Sequence, residues 1–383
     1  MVGVRHRRLA RTLIGLPTLL LGTALAVSVL PACSSGSASP GMRRASSGKG
    51  VNAAEHDAWA QVGYRLSWRG FPIVASGGIL QFDVFNEGVI VQDATNTVTF
   101  MDGRTGANLW VTEITRNLSR FVGNTIYGAN VLVASDNEIF FLDIQTGDII
   151  DRQSLAVVVN TAPVIVRDFA VFGSATGEAI GHSLYSGFKA WGYQLGGSIN
   201  ARPVAMGDVV GVVSQAGDVI MINASNGDST GRERIFGGLT NDPVSDGQSL
   251  FVAARDQSVY AFSSQDGRRL WRYRTETPIT AQPTYAEGAV YVEIPGQGLV
   301  ALDSISGEVI WSSADVSGRV VSQRDDLLLV WNGSAMTTVH VDSGDVIEKV
   351  AMPNVRQVRA MGFADADLYV TLRDGAVVKV IAD

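Results

Sequence analysis

The chain predicts an all-β fold: an eight-bladed β-propeller of four-stranded antiparallel blades, its ring closed by an N-terminal strand. Three observations predict it. A turn glycine recurs at Gly106, Gly147, Gly187, Gly227, Gly267, Gly307 and Gly344, at gaps of 41, 40, 40, 40, 40 and 37 residues. Each interval has room for four short apolar strands, read as period-two alternation or short apolar runs. The last copy starts near Arg356 and stops after its third strand, Val377 to Ile381, and Tyr64 to Arg69 supplies a candidate for the fourth. A ring closed this way has no exposed sheet edge at the seam.

The N-terminus comes first. Arg5, Arg7, Arg8 and Arg11 precede an apolar run from Leu13 to Leu30, and Leu30-Pro31-Ala32-Cys33 follows. Residues 1–32 read as a signal peptide. Cys33 is the single cysteine of the chain. Its position resembles the bacterial lipoprotein box, which implies a diacylglycerol on its sulfur and an extracytoplasmic, lipid-anchored protein. Residues 33–58 read as an acylated tether, rich in Ser, Gly and Ala between Ser34 and Asn52. Residues 59–383 form the propeller.

Within a blade the clearest copy runs Val98-Thr99-Phe100-Met101-Asp102-Gly103-Arg104-Thr105-Gly106, then Leu109-Trp110. It is a strand, a tight turn and a second strand. The turn glycine accepts a positive φ, and a polar residue before it can bond the local backbone. Asp102, Asp143, Asp266, Asp303 and Asp342 follow the blade spacing, so turn capping accounts for them.

Four copies end in tryptophan: Trp110, Trp191, Trp271 and Trp311. Asp151, Gly231 and Glu348 stand near the equivalent place in others. With Ala301-Leu302-Asp303 and the turn glycine, these tryptophans resemble the docking motif of quinoprotein-type (PQQ-repeat) propellers, which implies packing between neighbouring blades. Over nearly the whole mature chain the sequence is similar to the BamB family, lipoprotein propellers of the outer-membrane β-barrel assembly machinery. The resemblance rests on the lipobox, the tether, eight blades and the ending Asp374-Gly375-Ala376-Val377-Val378. It implies a ring working within a complex, with an envelope protein, such as a β-barrel assembly protein, as partner.

Charge narrows the partners further. The formal net charge is −7, and losing residues 1–32 removes four arginines and no acid, leaving −11. Such a surface argues against nucleic acid or anionic lipid as the main ligand. Catalysis finds no support in the motifs. The cysteine pair, calcium site and insertions of quinoprotein dehydrogenases are missing. His182 and His340 lie on third strands of blades far apart in the ring. No cofactor, metal site or catalytic residue is therefore expected, apart from the lipid on Cys33. The alternative to a scaffold is a small-ligand or glycan binder using the central channel. A basic or aromatic channel lining would favour that alternative, and exposed apolar loops the scaffold.

Overall fold

The computed structural model describes residues 53–74, 78–86, 88–114 and 119–383. They form eight four-stranded antiparallel sheets and one short helix, Ala53–Gln61. In seven blades the strands follow chain order: residues 79–113, 121–154, 164–194, 204–234, 244–274, 284–313 and 319–351 are blades 1 to 7. The eighth combines both ends of the chain. Val355–Ala360, Leu368–Leu372 and Val377–Ala382 are its first three strands, and Tyr64–Gly70 is the outermost. The closing pairs are Tyr64 with Ala382, Leu66 with Val380 and Trp68 with Lys379. The ring is thus closed without a covalent link across the seam.

First strands touch first strands of neighbouring blades and surround the channel. Second and third strands are buried on both faces; in blade 5, Ser249–Ala254 is buried throughout. This explains why the middle of each repeat reads as an unbroken apolar run. Outer strands are mostly exposed, as in Arg269–Arg274, where Trp271 alone is buried. Buried apolar side chains gather into eight clusters, each shared by adjacent blades. Stability therefore resides in the joints between sheets.

Outer strands are free edges, and each carries a guard. In blade 1 Phe100 pairs with Trp110 and Met101 with Asn108, which leaves Leu109 as a bulge. The same slip isolates Ile150, Ala190, Thr230, Leu270, Ile310 and Ile347. A bulge interrupts the ladder that another chain's strand would need.

The turns before the outer strands share one scheme. Each turn glycine donates its N–H to the carbonyl four residues earlier, as Gly307 does to Asp303 at 2.8 Å. The side chain of that earlier residue caps the turn. The Asp303 carboxylate accepts the N–H groups of Ile305 and Ser306 at 3.1 and 2.7 Å. Asp102 and Asp143 do likewise. Two aspartates read as members of this set differ. In blade 5 the cap position belongs to Ser263, and Asp266 instead accepts the N–H of Arg268. In blade 7 His340 occupies it, and its Nδ1 accepts the N–H of Asp342. The repeat spacing is three residues shorter there, so counting from the aspartate misplaced the cap.

These caps carry a pH signature. The Thr105 hydroxyl holds the Asp102 carboxyl below its ordinary value near 3.8, and the N–H groups of Thr146 and Ser306 do so for Asp143 and Asp303. A depressed folded pKa means stability that is present above 3.8 and lost as pH falls through the folded value. Thermal melts between pH 5 and pH 2 should show that loss. Replacing all three aspartates by Asn should flatten the acid limb, and an unchanged limb would refute the assignment.

The helix Ala53–Gln61 crosses the boundary drawn at residue 58 between tether and ring. Trp59 and Val62 insert into the core shared by blades 7 and 8, beside Val350 and Met352. Residues 1–52, which hold the stretch read as a signal peptide, Cys33 and the Ser/Gly-rich stretch read as a tether, lie outside the described residues.

Candidate functional site: the joints between blades

The joints are built from a tryptophan and a glycine. Trp110, Trp191, Trp271 and Trp311 each reach from an outer strand onto the next blade. Their Nε1–H groups donate to the carbonyls of Ile144, Ala224, Ser304 and Val341 at 2.9, 2.7, 2.9 and 2.7 Å. Each acceptor lies three residues before a turn glycine. The indole covers that glycine closely: a Cβ on Gly147, Gly227, Gly307 or Gly344 would lie 2.4–2.7 Å from the ring. Glycine is needed here for two reasons, a positive φ and the space taken by the indole.

Sequence reading missed a fifth member. Trp68, on the closing strand, donates to the Gly103 carbonyl at 3.1 Å and covers Gly106. Blade 8 is thus docked onto blade 1 as the others are docked. The signal was available: Ser67-Trp68 is a bulge residue followed by tryptophan within its strand, as Ile310-Trp311 is, but it stands at the far end of the chain from the rest of its repeat.

Three joints lack tryptophan, and each differs. Between blades 4 and 5, Gly231 brings backbone against backbone; a Cβ there would lie 2.0 Å from the carbonyl of Asp266. Between blades 7 and 8, Glu348 stands in the docking place, and the helix with Trp59 covers the junction. Between blades 2 and 3, Asp151 replaces the indole. Gln153 sends Nε2 to the Leu184 carbonyl at 3.0 Å and to Asp151 at 3.0 Å. Its Oε1 meets His182 Nε2 at 2.9 Å. His182 is fully buried, its Nδ1 has no partner, and desolvation lowers its pKa. Outside this polar cluster lies a groove of about 610 Å³. Tyr185, 92% exposed, and Phe188, 74% exposed, flank it. The sequence left Phe188 and Phe236 open between packing and exposure; the structure exposes both.

The central channel is polar. A cavity of about 360 Å³ at its mouth is lined by Gln81, Asp83, Asn124, Arg202, Asp242 and Arg359, among others. Side chains bridge successive blades around it: Asn124 to Gln81 at 3.1 Å, and the Arg202 N–H to Asp242 at 2.7 Å. Desolvation raises the Asp83 pKa against the hydrogen bond from Asn124. It lowers that of Arg319, with Arg359 adding repulsion. The lining mixes both charges and is neither a basic nor an aromatic ring. Among the described residues no group of three His, Cys, Asp or Glu is placed to hold a metal, and no helix is long and apolar enough to cross a membrane.

Eight sheets joined in this way define the class: an eight-bladed β-propeller of PQQ-type repeats, docked mainly through tryptophan. The family model described as "Outer membrane protein assembly factor BamB" matches residues 56–273 and 237–380, and the chain belongs to that family. Among solved structures it is similar to BamB from Moraxella catarrhalis, at 18% identity and a TM-score of 0.64, over 79% of this chain and 94% of that one. It is also similar to the computationally designed Ika8 protein, at 15% identity and a TM-score of 0.65, over 82% of this chain and all of that one. At such identities the likeness concerns the fold. No curated protein matches the sequence.

Proposed function

We propose that this protein is a non-catalytic interaction scaffold of the cell envelope, serving the assembly of β-barrel proteins into an outer membrane. Membership of the BamB family carries the reading. The exposed aromatics beside an unsealed joint give it physical support, since large apolar side chains left in water mark contact surfaces. The ring acts on the extracytoplasmic side, held to the membrane by a diacylglycerol on Cys33. Its partner is an envelope protein, such as a β-barrel assembly protein. Depleting the protein in its native cells should lower the amount of folded β-barrel protein in the envelope; an unchanged amount would overturn the reading. Cys33→Ala should move the chain from the membrane fraction to the soluble fraction. Continued tight association would point to another anchor.

A second reading has one observation in its favour. The polar cavity of about 360 Å³ at the channel mouth has the size and polarity of a site for a small polar ligand. A small molecule that co-purifies with the ring and is lost on Arg202→Ala would support it.

A further inference from the structure

We propose that the joint between blades 2 and 3 is a docking groove for an extended segment of a partner protein that presents a tryptophan. The proposal rests on the scaffold reading and adds the place and chemistry of the contact.

The molecule itself shows what such a joint accepts. Five joints hold an indole over the turn glycine, with its N–H on the carbonyl three residues earlier. In blade 3 the equivalent receptor is Gly187 with the Leu184 carbonyl. Gly187 has a φ of 76°, within the 71–79° of the glycines that seat an indole, yet a Cβ there would meet nothing closer than Gln153 at 3.6 Å. The receptor is present and its own indole is absent. The other two joints without tryptophan are sealed, one by backbone contact and one by the helix. This one opens into the groove.

Polar bookkeeping permits the contact. An incoming indole N–H would share the Leu184 carbonyl with Gln153 Nε2, because the oxygen has two lone pairs. That nitrogen would keep Asp151, and Oε1 would keep His182. No buried donor is left unpaired, which is what makes a polar contact cheap. The groove's charged side chains are already engaged: the Arg152 guanidinium lies over the Phe140 ring at 5.2 Å, on the face toward blade 1, and Lys189 is paired with Glu178. Tyr185 and Phe188 would close over the indole from the rim.

The test uses the full chain in detergent and a short fluorescein-labelled peptide, Thr-Glu-Thr-Trp-Glu-Thr-Thr, followed by anisotropy. Asp151→Trp restores the internal indole. It should raise the melting temperature and weaken peptide binding about 10-fold or more, as expected when a central anchor is excluded. Phe188→Ala and Tyr185→Ala, both on exposed positions, should weaken binding without lowering the melting temperature. A peptide with Ala for Trp should bind about 10-fold more weakly. Equal binding of the two peptides, no binding to the folded wild type, or full binding to a folded Asp151→Trp chain would overturn the proposal. The scaffold reading is separable: if Asp151→Trp recovers the same envelope partner as wild type, the scaffold stands and the groove does not.

Discussion

Replacing Trp68 by Ala should cost about 3–5 kcal/mol, the usual range for removing a buried tryptophan. Other docking tryptophans should cost similar amounts, but the consequence at the seam differs. Blade 8 is assembled from both chain ends, and its outer strand is held by pairing with Val377–Ala382 and by this indole. Trp68 is 8% exposed and lies against Tyr369 at 5.9 Å, edge to face. Its loss loosens the cluster that also holds Phe82, Val89, Met101 and Val377. Opening there bares the edge of Val377–Ala382, an apolar strand suited to pairing with another chain. Aggregation should therefore accompany the lower stability. Trp68→Phe keeps most of the stacking and loses the N–H bond to Gly103, so it should cost about 1–2 kcal/mol. Urea unfolding, with hydrogen exchange of blade 8 amides, measures both. Equal stability of the Ala variant and wild type would show that the seam is closed by strand pairing alone.

The second large effect comes from a matched pair of glycines. Gly307 and Gly187 have φ of 73° and 76°, so Ala pays a similar backbone penalty at each, about 1–2 kcal/mol. At Gly307 the new Cβ also meets Trp271 at 2.6 Å, and the indole must leave its seat. Gly307→Ala should then cost about 3–5 kcal/mol in total, from strain and overpacking together. At Gly187 the nearest atom is 3.6 Å away, so only the backbone penalty remains. The difference between the two variants in one denaturant series isolates the contribution of the indole. Equal losses would mean that the indoles are not seated as described, and the argument for an open joint would fall with them.

Much of the ring was legible because each blade repeats one solution to one problem. Buried second and third strands need apolar runs, the turn needs glycine, and the chain must return every 40 residues or so. The incomplete copy at Asp374 to Ile381 and the strand at Tyr64 could be matched because a missing strand must come from somewhere. What escaped was what breaks the repeat. Trp68 was recognised as strand but not as a docking residue, because its receptor, Gly103 to Gly106, lies in the first blade and its own blade in the last. Gln153 carries no motif; its role arises because Asp151 leaves room and His182 sits behind it. The helix Ala53–Gln61 has little amphipathic pattern; Trp59 and Ala58 hold it to the core, and Glu55 pairs with Arg69. The caps Ser263 and His340 were hidden by aspartates nearby. Cys33, the strongest single motif of the sequence, lies outside the described residues, so its role stays with the fractionation test.

The measurement that bears most directly on the scaffold is affinity purification of the full chain from solubilised native membranes, followed by mass spectrometry. The predicted result is recovery of a large β-barrel protein carrying extracytoplasmic repeat domains. Repeated absence of any such protein, with a small molecule co-purifying in its place, would contradict the account.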